Sequence, residues 1–140
     1  MADNGAADRL NAYLAQVRHR PFAWHAWDCL QFTNEAWRAM HGQGWADDWL
    51  GRYTAGGLYM RRDALRAEFG FQTIQEAIAS KLEPVAGIPP RGALVASDQV
   101  RAWVIGLGLG LALGKRAAFL GKSGVITVPI NTICGAWREK

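Results

Sequence analysis

The feature that most constrains this chain is a change of hydrophobic period at a proline-bearing connector, Pro84 to Pro90. Before it, apolar residues recur at helical spacing. Leu10, Tyr13, Leu14 and Val17 form one stripe and predict a helix from about Ala6 to Arg18, which Pro21 prevents from continuing. Asp28 is a natural N-cap, so a second helix is expected from Cys29 to about Gly42, burying Leu30, Thr33, Trp37 and Met40. A third is expected from about Leu58 to Phe69. A fourth is expected to open at the Thr73-x-x-Glu76 capping box and run to about Leu82. After the connector, short apolar runs punctuated by glycine read as strands: Leu94 to Ala96, Trp103 to Leu107, Leu109 to Leu113, Ala117 to Leu120 and Val125 to Pro129. Helices first and hairpin-linked strands afterwards give an α+β fold, N-terminal helices packed on a C-terminal antiparallel sheet. The chain is expected to be one domain over residues 1–140, with a helical part 6–83, a connector 84–91 and a β part 92–137.

Composition narrows the function classes. Half the residues are hydrophobic and a fifth charged, a globular balance. Met1 to Asp8 is small and polar, with no apolar core of a signal peptide, so synthesis in the cytoplasm is expected. The longest apolar run, Ala102 to Leu113, is about half the ~20 residues a membrane span needs and is broken by glycines. No membrane span is therefore expected. The net charge is +4; acids and bases balance up to Gly70, and the surplus lies in Arg91, Arg101, Lys115, Arg116 and Lys122. These bases are scattered and follow no binding motif, which argues against a nucleic-acid partner. Cys29 and Cys134 have no metal-ligand spacing and are expected to be two free thiols.

The chemistry concentrates in Pro21-Phe-Ala-Trp-His-Ala-Trp-Asp-Cys29. A cysteine in the first helical turn sits among unpaired backbone N–H groups at the positive end of the helix dipole. Both effects favour a thiolate, which makes Cys29 the candidate nucleophile. An inert buried cysteine is the alternative. Of the three histidines, His25 is nearest in sequence and is the one candidate base, against the plainer reading of a solvated loop residue. His19 and His41 fall at expected helix ends, where they would cap carbonyls. Among the seven tryptophans, Trp24 and Trp27 flank Cys29 and are candidates to line a substrate groove or to pack the loop on the sheet. Trp45 and Trp49 are candidates for the core or for an exposed protein interface, together with the basic residues Lys115, Arg116 and Lys122.

The same segment resembles the active-site region of NlpC-type cell-wall peptidases, whose pattern is approximately P-F-x-W-G-x-x-D-C followed by a helix. The chain is most similar to a phage-encoded branch of that superfamily, small proteins found among tail genes. The likeness resumes at Pro90-Arg91-Gly92, Leu109-Gly-Leu-Ala-Leu-Gly114 and Phe119-Leu-Gly-Lys-Ser-Gly124, though only the first motif is specific. The resemblance implies a papain-like core, a nucleophile at Cys29, a catalytic histidine on a following strand, and neither cofactor nor metal. It also implies a place in the virion tail, with other tail proteins and peptidoglycan as partners. The chain departs from the pattern where it matters: Gly108 stands at the strand histidine, Gly92-Ala93 replaces Gly-Asp, and His25 replaces a glycine. The expectation is a tail structural module with a degenerate papain-like cysteine peptidase fold; the alternative is an active amidase cutting peptidoglycan stem peptides during entry.

Overall fold

The computed structural model describes residues 4–21, 27–49, 54–55, 58–59, 74–98 and 108–139. The first helix, α1 (Asn4–Val17), and the second, α2 (Cys29–His41), fall within two residues of their expected limits. Their packing follows from the stripes read in the sequence: Leu10, Tyr13, Val17, Leu30, Thr33, Trp37 and Met40 are all buried. The two helices are stitched by polar contacts that ignore the stripe. The Tyr13 hydroxyl donates to the Phe32 carbonyl at 2.7 Å in the interior. Arg9 donates to the Ala39 and Met40 carbonyls at 3.0 and 2.7 Å, closing the C-terminal end of α2. Removing the first of these, Tyr13→Phe, should cost about 1 kcal/mol, read as a lower urea midpoint with an unchanged slope.

Gly42, at φ +86, ends α2 in the left-handed conformation and donates back to the Arg38 carbonyl. The chain then folds onto α2 through buried Asn34, whose amide donates to Asp47 and accepts from the Ala46 N–H. A 3-10 turn, Asp47–Trp49, follows. Next comes a hairpin of two short strands, β1 (Thr54–Ala55) and β2 (Leu58–Tyr59), paired Ala55↔Leu58. This corrects the expected start of the third helix at Leu58. The Gly56-Gly57 pair between the strands is a two-residue hairpin signal, and it outweighs the helical spacing that follows it. The rest of that expected helix, the Thr73 cap of the fourth, and the expected strand Trp103 to Leu107 lie outside the described residues. The fourth helical segment is present as α3 (Ile74–Ala79), shorter than expected.

The β part is one antiparallel sheet of six strands: β3 (Glu83–Pro84), β4 (Leu94–Ser97), β5 (Gly108–Ala112), β6 (Arg116–Gly121), β7 (Gly124–Pro129) and β8 (Gly135–Arg138), in the order β3-β8-β4-β5-β6-β7. The fold is therefore α+β, as expected. Strands β4 to β7 pair in sequence order, Leu94↔Leu111, Gly110↔Phe119 and Phe119↔Ile126. One face, carrying Leu94, Ala96, Leu109, Leu111, Ala118, Leu120 and Trp137, shares a core with the helices. Val95, Ala112, Ala117, Phe119 and Ala136 alternate onto the other face and are buried too. Burial on both faces explains why β4 and β5 read as unbroken apolar runs rather than alternating ones.

Two strands of this sheet, β3 and β8, have no counterpart in the sequence reading. β8 returns to lie between β3 and β4, with Trp137 opposite both Pro84 and Leu94. The supposed connector thus contributes an edge strand. The other edge, β7, is closed locally. Val125 N–H donates to the Arg18 carbonyl at 3.0 Å, Arg116 donates to the Thr127 carbonyl and hydroxyl, both at 2.9 Å, and Pro129 has no N–H to offer. Such closure protects an uncharged Gly-Val-Ile-Thr-Val-Pro strand from pairing with another chain. Among the described residues no helix is long and apolar enough to cross a membrane.

Candidate functional site

Asp28 caps α2 as its position suggested. Its carboxylate accepts from the Gln31 N–H and the Gln31 side-chain oxygen accepts from the Asp28 N–H, each at 3.0 Å. This reciprocal box fixes where the helix begins and makes Cys29 its first residue. The helix packs across β5, so the thiol meets the backbone N–H of Leu109. The sequence neighbour of Leu109 is Gly108, the first residue of β5, opposite Ser97. The backbone at Gly108 therefore runs near the cysteine, but alternation along β5 puts position 108 with Gly110 and Ala112 on the sheet face away from α2. At that strand position stands a residue with no side chain.

The electrostatics differ from those expected of a helix start. Burial pushes the Cys29 thiol up to about 12, and the Asp28 carboxylate pushes in the same direction. The N–H groups of Leu109, Cys29 and Leu30 pull the other way, and they lose. Cys29 has no exposed surface. A helix dipole is worth at most ~2 kcal/mol in a favourable geometry, whereas desolvating a charge in an apolar interior costs several. Burial thus favours the protonated thiol at neutral pH, the second of the two readings of this cysteine.

Two of the three histidines fall in the described residues, and neither partners the thiol. His41 closes the opposite end of α2, about 18 Å away along a helix rising 1.5 Å per residue. Its Nδ1 lies 3.4 Å from the Glu139 carboxylate and its ring packs on Trp37. It does not cap a carbonyl; Arg9, which the sequence reading passed over, does that. His19 is exposed in the turn after α1. His25, the candidate base, and Trp24 lie outside the described residues.

Trp27 is only 5% exposed and packs into the core. Its ring meets Phe32 edge-on at 6.2 Å, and the Arg20 guanidinium lies 3.9 Å from its centroid. Its indole N–H is buried without an acceptor. Trp45 and Trp49 are buried as well, at 6% and 4% exposure, which removes them as exposed interface aromatics. They pack edge-to-face at 5.5 Å, and Trp45 donates to the Thr33 hydroxyl, which in turn donates to the Cys29 carbonyl. The reason is the Asn34 tether, which folds their segment back onto α2. The basic residues also separate: Lys115 and Arg116 open β6, while Lys122 follows its far end. Both cysteines are free thiols, Cys134 at the surface. An open depression of about 610 Å³ lies between Arg9, Arg38, Met40, His41 and Glu139, at the end of α2 away from Cys29. Among the described residues no group of acids, histidines and cysteines is arranged to hold a metal ion.

A single domain spanning nearly the whole chain, with its one helix-start cysteine buried against the sheet, matches one family model over residues 2–139. The chain belongs to that family, described as a domain of unknown function, DUF6950. Comparison with curated proteins finds no match.

Proposed function

We propose that this chain is a structural module of a phage tail, built on a papain-like core whose cysteine has become a packing residue. The observation that carries the loss of chemistry is the environment of Cys29: a fully buried thiol, pushed up to about 12, in a chain whose β part holds no histidine and has Gly108 where the resemblance expects one. Amide hydrolysis by a thiol needs a base to generate the nucleophile and then an acid to expel the amine. A protonated, enclosed sulfur with no strand histidine offers neither. The tail assignment rests on the resemblance carried by Pro21 to Cys29 and by the glycine-rich strand segments.

The experiment is an assay of purified protein on peptidoglycan, reading the release of free amino groups. The expected result is no release above that of the Cys29→Ala variant. Turnover that disappears in Cys29→Ala would restore the cysteine amidase reading and direct attention to His25. Mass spectrometry of purified particles from a phage encoding the chain should find it in the virion; its absence there refutes the tail assignment.

A further inference from the structure

The end of the sheet where β6 turns into β7 gathers positive charge from two distant parts of the chain. Gly124 lies so close to α1 that a β-carbon there would stand 2.2 Å from the Arg18 carbonyl and 3.0 Å from the His19 Cα. Val125 is hydrogen-bonded to that same carbonyl. This contact sets Arg18, His19 and Arg20 beside the two-residue turn that carries Lys122, and all four are exposed. Among the described residues no carboxylate pairs with Arg18, Arg20 or Lys122, whereas Arg38, Lys81 and Arg138 all have acidic partners. Glu35, whose charge reaches the Tyr13 hydroxyl as that of Arg20 does, is engaged by Arg38, and Asp98 after β4 stands three strand spacings from β7, about 14 Å.

We infer that this corner, Arg18, Arg20 and Lys122, is a docking surface for an acidic segment of a partner protein. Arg20 gives it a fixed element: stacked 3.9 Å from the buried Trp27 ring, its planar guanidinium is held at the surface as a fork that fits a carboxylate through two hydrogen bonds. Arg18 and Lys122 add charge on flexible stems. The layout does not suit a nucleic-acid backbone, which needs positive charge spaced along a track. The next bases along the β6–β7 hairpin are at its other end, about 20 Å away for six-residue strands. There Arg116 is tied to Thr127, and Arg91 to the Leu113 carbonyl and Asn11. A compact corner fits a short run of carboxylates. The inference requires a protein partner but not a phage tail, so it stands apart from the reading above.

The test is fluorescence anisotropy with the isolated full chain and a labelled glutamate-rich peptide of about a dozen residues, beside an oligothymidylate of equal length. The peptide should bind, and more weakly as salt screens the exposed charges. The double variant Arg18→Glu, Lys122→Glu should weaken binding at least ~10-fold, while Lys115→Glu at the far end changes it less than ~2-fold. Arg20→Lys keeps the charge but loses the planar fork, and should weaken binding by about 3-fold without unfolding the protein. No peptide binding, binding indifferent to the double reversal, or tighter binding of the oligonucleotide would overturn the inference. The measurement uses no cell wall and no virion, so its outcome is independent of the tests of hydrolysis and tail location.

Discussion

Replacing Gly124 by alanine should destabilise the protein by about 3 kcal/mol, seen as a fall of about 10 °C in melting temperature for a domain of this size. Two costs add. Gly124 has φ +124, which a side chain disfavours, and its β-carbon would meet the Arg18 carbonyl at 2.2 Å. The obstacle is backbone on both sides, so it cannot rotate away. Relief requires α1 to move off the sheet, which breaks the Val125–Arg18 hydrogen bond and reopens the β7 edge. Gly87→Ala separates the two costs. Gly87 also has a positive φ, +79, yet nothing lies within 4 Å of its would-be β-carbon. That variant should lose only about 1 kcal/mol. Equal losses at the two positions would mean that α1 does not press on the β6–β7 turn.

The second large effect is the chemical silence of Cys29. With an aromatic disulfide reagent at neutral pH, the native protein should titrate one thiol, Cys134, and the denatured protein two. A thiol raised from 9.0 to about 12 carries about 10³-fold less thiolate than an ordinary one, before burial blocks the reagent. The same displacement predicts a pH dependence. The folded state holds this proton more tightly than the unfolded chain does. The stabilisation is fully present below pH ~9 and is lost as pH rises from ~9 toward ~12, up to about 4 kcal/mol for three units. Burial raises the Tyr13 hydroxyl as well, with the same sign, and that loss begins at pH ~10, where an unfolded tyrosine starts to ionise. Cys29→Ala should therefore remove the fall between pH 9 and 10 and make it shallower above pH 10, where the Tyr13 contribution remains. Rapid modification of Cys29 in the native protein at pH 7 would contradict this, and would reopen the case for a nucleophile.

These contrasts mark where local sequence information ends. The α1 and α2 stripes, the Asp28 cap and the Gly42 stop depend on neighbours within a turn or two, and each stands where the spacing put it. The β5–β6 and β6–β7 hairpins were legible for the same reason, since each turn and its flanking apolar runs are contiguous. β8 was not. Its partner is some forty residues back, and four residues of Gly-Ala-Trp-Arg carry no period of their own. Leu58 shows two local signals in conflict, a helical spacing after it and a glycine pair before it, and the glycine pair prevailed.

The site divides along the same line. The sequence by itself determined that Cys29 begins a helix, that glycine occupies position 108, and that this chain is an α+β domain. Only the tertiary structure decided the state of the thiol. Desolvation depends on everything packed around a group, and here the sheet encloses the sulfur so completely that burial outweighs the N–H groups of the helix start. The charge pattern obeys the same logic. In sequence, Arg18 and Arg20 are balanced by acids and Lys122 is one of several scattered bases. In space, a glycine with no side chain lets the end of α1 rest on the β6–β7 turn, and those charges become one surface. Covalent neighbours set where each element starts and stops; close approach between elements far apart in the chain sets which charges and thiols meet, and whether water reaches them.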